Sequence, residues 1–289
     1  MKIELFGCAK EMSFQKRLAV ANIAKSCLVA FTLAGIIACG NDSSSGPSDS
    51  LDSTALEKMT LREKVGQMFF VRPEALDTSI HWNEYAELPN YKLERVNKTM
   101  LAVNKDYPVG GMILYAHNIV DETQLGKFID EIRKLNGSPL LAIDEEGGRV
   151  ARIANNENFD VPKYESMAAI AESGDPNKAY KAAFTIGSYV KKYGFDIDYA
   201  PVADVNTNPD NIVIGPRAFS NDPETAAKFV VSYLNGLESA GVIGTLKHFP
   251  GHGDVSTDSR PKPDATSRRG YGRSVVACVP LSGTKPLSP

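Results

Sequence analysis

From Leu56 onward, short apolar runs of strand length alternate with longer stretches whose apolar residues recur at helical spacing. Residues 68–71 (MFFV), 109–115 (VGGMILY), 139–143 (PLLAI), 197–202 (IDYAPV) and 242–246 (VIGTL) read as strands. Residues 122–135, 178–193 and 223–240 read as amphipathic helices, and Thr60 and Glu63 stand at the spacing of a capping box. Continuously apolar strands are buried on both faces, as in a parallel sheet covered by helices.

Two architectures fit that alternation, an open doubly wound sheet and a closed barrel. No glycine-rich dinucleotide fingerprint follows the first strand, which weakens the former. Asp144, Asp204 and Lys247 gather after the later strands, as the active face of a barrel requires. The pattern therefore predicts an α/β fold of the (β/α)8 TIM type, its N-terminal part only. About five strands fall in roughly 200 residues, where a whole barrel has eight in roughly 250.

The remainder of the chain has a different texture. Residues 1–39 read as a lipoprotein signal peptide: Lys16 and Arg17 precede an apolar stretch at 26–38, and Ile36-Ile37-Ala38-Cys39 reads as a lipobox. Met12 makes the cleaner start, and the apolar stretch is short for a membrane span. Cys39 is thus expected to carry the lipid that anchors an exported protein to a bacterial membrane, facing the periplasm or the cell surface. Residues 40–55, including GNDSSSGPSDS, read as a flexible linker, and 56–259 as the patterned domain. Residues 260–289 form a basic, proline-rich tail predicted to be disordered, in which Arg260, Lys262, Arg268, Arg269, Arg273 and Lys285 face only Asp264. So abrupt a change is expected from a frameshift or a sequencing error immediately after Ser259. Cys8 and Cys27 fall in the leader and Cys278 stands alone, so no disulfide framework is predicted. A net charge of -3 gives no sign of a nucleic-acid partner.

Polar chemistry concentrates in two stretches. Lys247-His248-Phe249-Pro250-Gly251-His252-Gly253-Asp254 brings a lysine and two histidines into what reads as a loop, whose glycines let the backbone approach a ligand. Pro250 and the glycines exclude the helix on which two such histidines would bind zinc, so no metal is predicted. Asp144-Glu145-Glu146-Gly147-Gly148-Arg149 follows the strand at 139–143. A carboxylate at a strand mouth can accept hydrogen bonds from vicinal sugar hydroxyls, with Arg152 and Arg217 adding donors. Taken singly, such acids are often solvated caps and such arginines surface ion pairs.

Together these stretches resemble family 3 glycoside hydrolases, in their β-N-acetylglucosaminidase branch. The resemblance rests on 59–68, on 142–150 (AIDEEGGRV), on 195–206 (FDIDYAPVADVN), on 213–219 (VIGPRAF) and on 247–254, and spans 56–259. It implies a retaining exo-hydrolase, without cofactor, that removes terminal β-linked N-acetylglucosamine from peptidoglycan fragments or chitooligosaccharides. It also implies a substrate pocket of Asp144, Arg152, Arg217, Lys247 and His248. The branch's acid/base is a histidine in an Asp-Ser-His triplet, and Asp258-Ser259 matches its first two positions. Arg260 stands where the histidine belongs, and an arginine cannot cycle as acid and base. The aspartate nucleophile lies beyond the matched region, and Asp264 lacks a strand to aim it. The sequence therefore predicts an incomplete, inactive form. The alternatives are a phosphorylase of the same fold, and a non-catalytic lipoprotein that binds cell-wall sugars through Asp144, Arg217 and Lys247.

Overall fold

The computed structural model describes residues 53–79, 91–255 and 275–277. Chain contacts separate Met1–Thr54 from Ala55–Pro289, and the sheet belongs to the second unit. The expected signal peptide with Cys39, most of the linker, and Asp258, Arg260, Asp264 and Cys278 lie outside the described residues.

Five strands form one parallel sheet: β1 (Phe70–Val71), β2 (Gly111–Leu114), β3 (Leu140–Ile143), β6 (Ile197–Asp198) and β7 (Ile243–Gly244). Their order in the sheet is their order in the chain. A doubly wound sheet must reverse direction at its switch point, so this succession excludes that alternative and fits winding in one direction. Among the described residues the sheet remains open. The α/β expectation is met as a parallel sheet with helical crossovers, while no closed barrel is seen among the described residues. Two small antiparallel pairs complete the strands, β4 (Glu145–Gly147) with β5 (Val150–Ala151) and β8 (Leu246–Phe249) with β9 (Val275–Ala277).

Each crossover carries a helix whose ends are written in the sequence. Asp121 caps Glu122–Arg133 by accepting from the Gln124 amide, and Leu125, Phe128, Ile129 and Ile132 of that helix are buried on one stripe. Burial of each such side chain contributes about 1.5–3 kcal/mol. Asp175 and Asp222 cap Pro176–Lys192 and Pro223–Ser239, each with proline in the first turn, where a missing N–H costs nothing. These two helices pack closely because both present small residues. A Cβ on Gly236 would lie 2.4 Å from the Tyr180 carbonyl oxygen, and one on Gly187 would lie 2.7 Å from the Ala240 Cβ. The Thr60–Glu63 capping box forms as its spacing predicts, ahead of Leu61–Gly66.

Three departures from the sequence reading matter for the site. Residues 98–106, read as neither helix nor strand, form the helix Lys98–Asp106 between β1 and β2. The strand expected at 242–246 is split at Thr245, so that β8 begins at Leu246 and holds Lys247 and His248 on extended backbone instead of in a loop. The extended run expected through Val202 ends as a strand at Asp198. Beyond it, Val202 forms an isolated parallel bridge with Lys247 of β8.

Candidate active site

The site grows from alternation at the end of β3. Leu114 pairs with Ile143, and Ile143 with Asp198. One residue further, Tyr115, Asp144 and Tyr199 therefore stand abreast on one face of the sheet, above Ile113, Ala142 and Ile197, which cluster on that face. Glu145 points to the opposite face, where Tyr189 of the helix Pro176–Lys192 donates its hydroxyl to Glu145 Oε1 at 2.9 Å. Glu146 returns to the face of Asp144. Three consecutive acids thus enter different environments by strand geometry alone.

On the Asp144 face, cations and carboxylates alternate. Arg152 Nη2 donates to Asp144 Oδ2 at 3.0 Å, and Lys247 Nζ donates to Asp144 Oδ1 at 2.8 Å. Lys247 also bonds Glu146, which takes both arms of Arg217, Nε at 2.8 Å and Nη2 at 2.7 Å. Arg217 Nη2 lies 3.2 Å from His248 Nε2, and His248 Nδ1 lies 2.6 Å from Asp204 Oδ2. A guanidinium has only donors, so Nε2 accepts and Nδ1 carries the proton given to Asp204. Burial pushes the carboxyls of Asp144 and Glu146 up, but the charge of Lys247 with Arg152 on one and Arg217 on the other outweighs it and holds both below the usual range. Burial likewise opposes ionisation of Asp204, and the hydrogen bond from His248 overrides it.

Access is graded along this chain of charges. The side chains of Glu146 and Lys247 are 1% and 4% exposed, whereas Arg152 is 24%, His248 17% and Asp144 15%. The buried pair acts as a fixed brace, and the more open groups remain reachable by a polar ligand. On the far side of Asp144, Arg152 sits 5.7 Å over the Tyr115 ring, and that ring stacks parallel to His117. His117 is held by the buried Glu74 at 2.8 Å.

The loop after β8 is tied to Asp204 as well. The His252 amide donates to Asp204 Oδ1 at 2.6 Å, and the His248 amide to Oδ2 at 3.2 Å. Gly253 is pressed against the segment around Val205, since a Cβ there would lie 1.8 Å from the Val205 carbonyl oxygen. The sequence reading gave these glycines to ligand approach; at Gly253 the close approach is to backbone of the same chain. A cavity of about 670 Å³ opens beside Asp204, Lys247 and His248 and is walled by Leu246 and Phe249.

All five residues expected in the pocket, Asp144, Arg152, Arg217, Lys247 and His248, are thus joined in one network. Two of its essential members were not among them. Glu146 is hidden inside an acidic run, and Asp204 reads in sequence only as a polar residue after a strand. Arg149, in the same motif as Asp144, is turned away and bonds the carbonyls of Ile212 and Ile214.

Behind the sheet lies a second carboxyl pair. Glu145 accepts from the amides of Arg152, Ile153 and Ala154 at 2.6–2.9 Å, and its own amide donates to Asp198 Oδ1 at 2.9 Å. Asp198 is completely buried and its Oδ2 has no partner. Burial, with the charge of Glu145 nearby, pushes its carboxyl well above the usual range. A raised folded value means stability that is full below the unfolded pKa of about 3.9 and lost as pH rises through the folded value. Asp198→Asn is therefore expected to gain on the parent in urea denaturation as pH rises from 5 to 9. An advantage that stays flat or shrinks over that window shows that Asp198 is ionised in the fold.

The glycosyl hydrolase family 3 N-terminal domain profile matches residues 60–269. Beta-hexosaminidase A of Pseudoalteromonas piscicida is 37% identical over 159 residues, covering 53% of this chain and 27% of that protein. Beta-hexosaminidase LpqI of Mycobacterium tuberculosis is 38% identical over 163 residues, covering 55% of this chain and 40% of that protein. The chain therefore spans less than half the length of these curated relatives. Among solved structures, a family 3 β-N-acetylglucosaminidase from Paenibacillus sp. superposes with a TM-score of 0.59 at 30% identity, over 70% of this chain and 35% of that one. With its one-directional α/β sheet and this profile over most of its length, the chain belongs to glycosyl hydrolase family 3.

Proposed function

We propose that this chain supplies the sugar-binding part of an exo-acting, retaining β-N-acetylhexosaminidase, and that its sheet is part of a (β/α)8 barrel. The observation that carries the reading is Asp144, ionised at the mouth of β3 and braced between Lys247 and Arg152. A carboxylate held on two sides keeps a fixed direction, and lone pairs left over can accept from adjacent ring hydroxyls. Arg217 and His248 stand on the same face and offer a donor and a tautomer-fixed imidazole toward the remaining hydroxyls. In the retaining scheme a carboxylate attacks the anomeric carbon and an acid/base group serves the leaving oxygen and then water. Those two roles belong to residues other than the described pocket, whose part is to bind and orient the terminal sugar.

Two measurements test this reading. The chain is expected to bind N-acetylglucosamine in calorimetric titration, and Asp144→Ala to weaken that binding at least about tenfold, the scale of lost hydrogen bonds to a charged group. Equal binding by both proteins removes Asp144 from the pocket. Assay with p-nitrophenyl N-acetyl-β-glucosaminide, with and without phosphate, then separates hydrolysis, phosphorolysis and binding without turnover.

The location is part of the same proposal: export, with a lipid on Cys39 facing the cell wall. Cys39→Ala is expected to move the protein from the membrane pellet to the soluble fraction. A protein that fractionates identically with either residue has no anchor at that position.

A further inference from the structure

The helix Pro176–Lys192 is charged unlike the other long helices. It carries Lys178, Lys181, Lys191 and Lys192, all exposed, and no acid. The helices Lys98–Asp106, Glu122–Arg133 and Pro223–Ser239 each mix both signs. Of the acids beside it, Asp175 is engaged in capping the Asn177 amide, and Glu122 meets Lys192 at 3.6 Å.

The lysines share their solvent-facing arc with Phe184, Thr185 and Ser188, by the turn of the helix. Phe184 is 44% exposed, and its ring stacks on that of Tyr180, 6.4 Å away and 9° from parallel. Thr185 and Ser188 turn their hydroxyls back onto the Lys181 and Phe184 carbonyls at 2.9 and 2.6 Å. The surface between the lysines thus has its polar groups satisfied within the helix. A face made only for water keeps its charges outside and its aromatic rings inside, and this one presents both.

We propose that this face docks on an anionic phospholipid surface, the one to which a lipid on Cys39 would tether the domain. Phosphates attract the ammonium groups, and the boundary between headgroups and acyl chains accepts aromatic rings. Lysine stems are long enough to reach phosphate while Phe184 sits deeper. Each lysine near such a surface contributes about fivefold in affinity. The linker expected at 40–55 would span about 20–24 Å as a Gly/Ser-type coil, which keeps the domain within reach of the bilayer. A crossover helix runs alongside the strands, so docking on it points the Asp144 mouth along the membrane plane and not into it.

Brominated-lipid quenching in the full chain, on a Trp82→Phe background, tests the orientation. Phe184→Trp places a reporter on the proposed face, and Leu101→Trp places one on the exposed side of Lys98–Asp106. On phosphatidylglycerol vesicles the reporter at 184 is expected to be quenched several-fold more than the one at 101. Lys178→Glu with Lys181→Glu should abolish that difference, while Lys98→Glu with Lys105→Glu, an equal change of charge, should keep it. All these positions are exposed, so folding is not at stake. Equal quenching at both positions, quenching at neither, or a difference that survives reversal of Lys178 and Lys181 overturns the docking face. The same difference on phosphatidylcholine alone overturns the assignment to anionic lipid. Emission from 184 that shifts to the blue with protein concentration, before any vesicle is added, gives the face to a second copy instead. The inference rests on the anchor at Cys39, whose own test by fractionation of Cys39→Ala is independent of these reporters.

Discussion

Glu146→Gln is expected to destabilise the fold by about 3–5 kcal/mol, the usual cost of removing one partner from a buried ion pair. The carboxylate is nearly inaccessible and faces two cations, Lys247 and both arms of Arg217. Glutamine keeps the shape but leaves those cations facing a neutral amide, one end of which presents N–H groups to them. Lys247 retains Asp144, so the penalty falls mainly on Arg217, which loses its forked contact and with it the aim toward His248. Urea denaturation at neutral pH measures the cost. A loss below about 1 kcal/mol would mean that solvent screens the pair as it does at a surface.

The second large effect is expected at Asp204, where one carboxylate collects three donors: the His248 ring, the His248 amide and the His252 amide. Hydrogen bonds to a charged group contribute about 1.5–3 kcal/mol each, and partial relaxation of the loop brings the total for Asp204→Ala to about 3 kcal/mol. Asp204→Asn should cost less, since one acceptor oxygen remains. The more specific result is the tautomer of His248. Nitrogen-15 spectra should show the proton on Nδ1 in the parent and a mixture in Asp204→Ala. An unchanged ring in the variant would show that Arg217 alone fixes the imidazole.

Much of this fold could be read from the chain because the signals were local. The helices Glu122–Arg133, Pro176–Lys192 and Pro223–Ser239 start at an aspartate cap and carry their buried stripe at helical spacing, so the expected bounds fall within two residues of the observed ones. Lys98–Asp106 escaped because only Met100 and Asn104 of it are buried, which leaves little apolar periodicity to detect. The β4–β5 hairpin escaped because its acids and glycines carry no apolar alternation to mark a strand.

The pocket residues were legible through motif resemblance, but their connections were not. Glu146 reaches Arg217 across 71 positions and Lys247 reaches Asp144 across 103, distances over which no sequence spacing carries information. Glu145 and Asp198 illustrate the same limit from the other side. Nothing in their residue type separates them from Asp144 and Glu146, and only the face of the sheet decides which acid meets the cations and which meets amides and burial.

That dependence on the face of the sheet makes the site a matter of parity. A single-residue insertion within Leu140–Ile143 would leave every residue of the network in the chain, yet turn Asp144 and Glu146 toward the helices and Glu145 toward the cations. One carboxylate would then meet a pocket built for two, and two charges would enter a layer that now shelters one. Substitutions along β3 that keep its length are accordingly milder than any change of length, even a conservative one. What holds the ion network together along this strand is the count of residues before it.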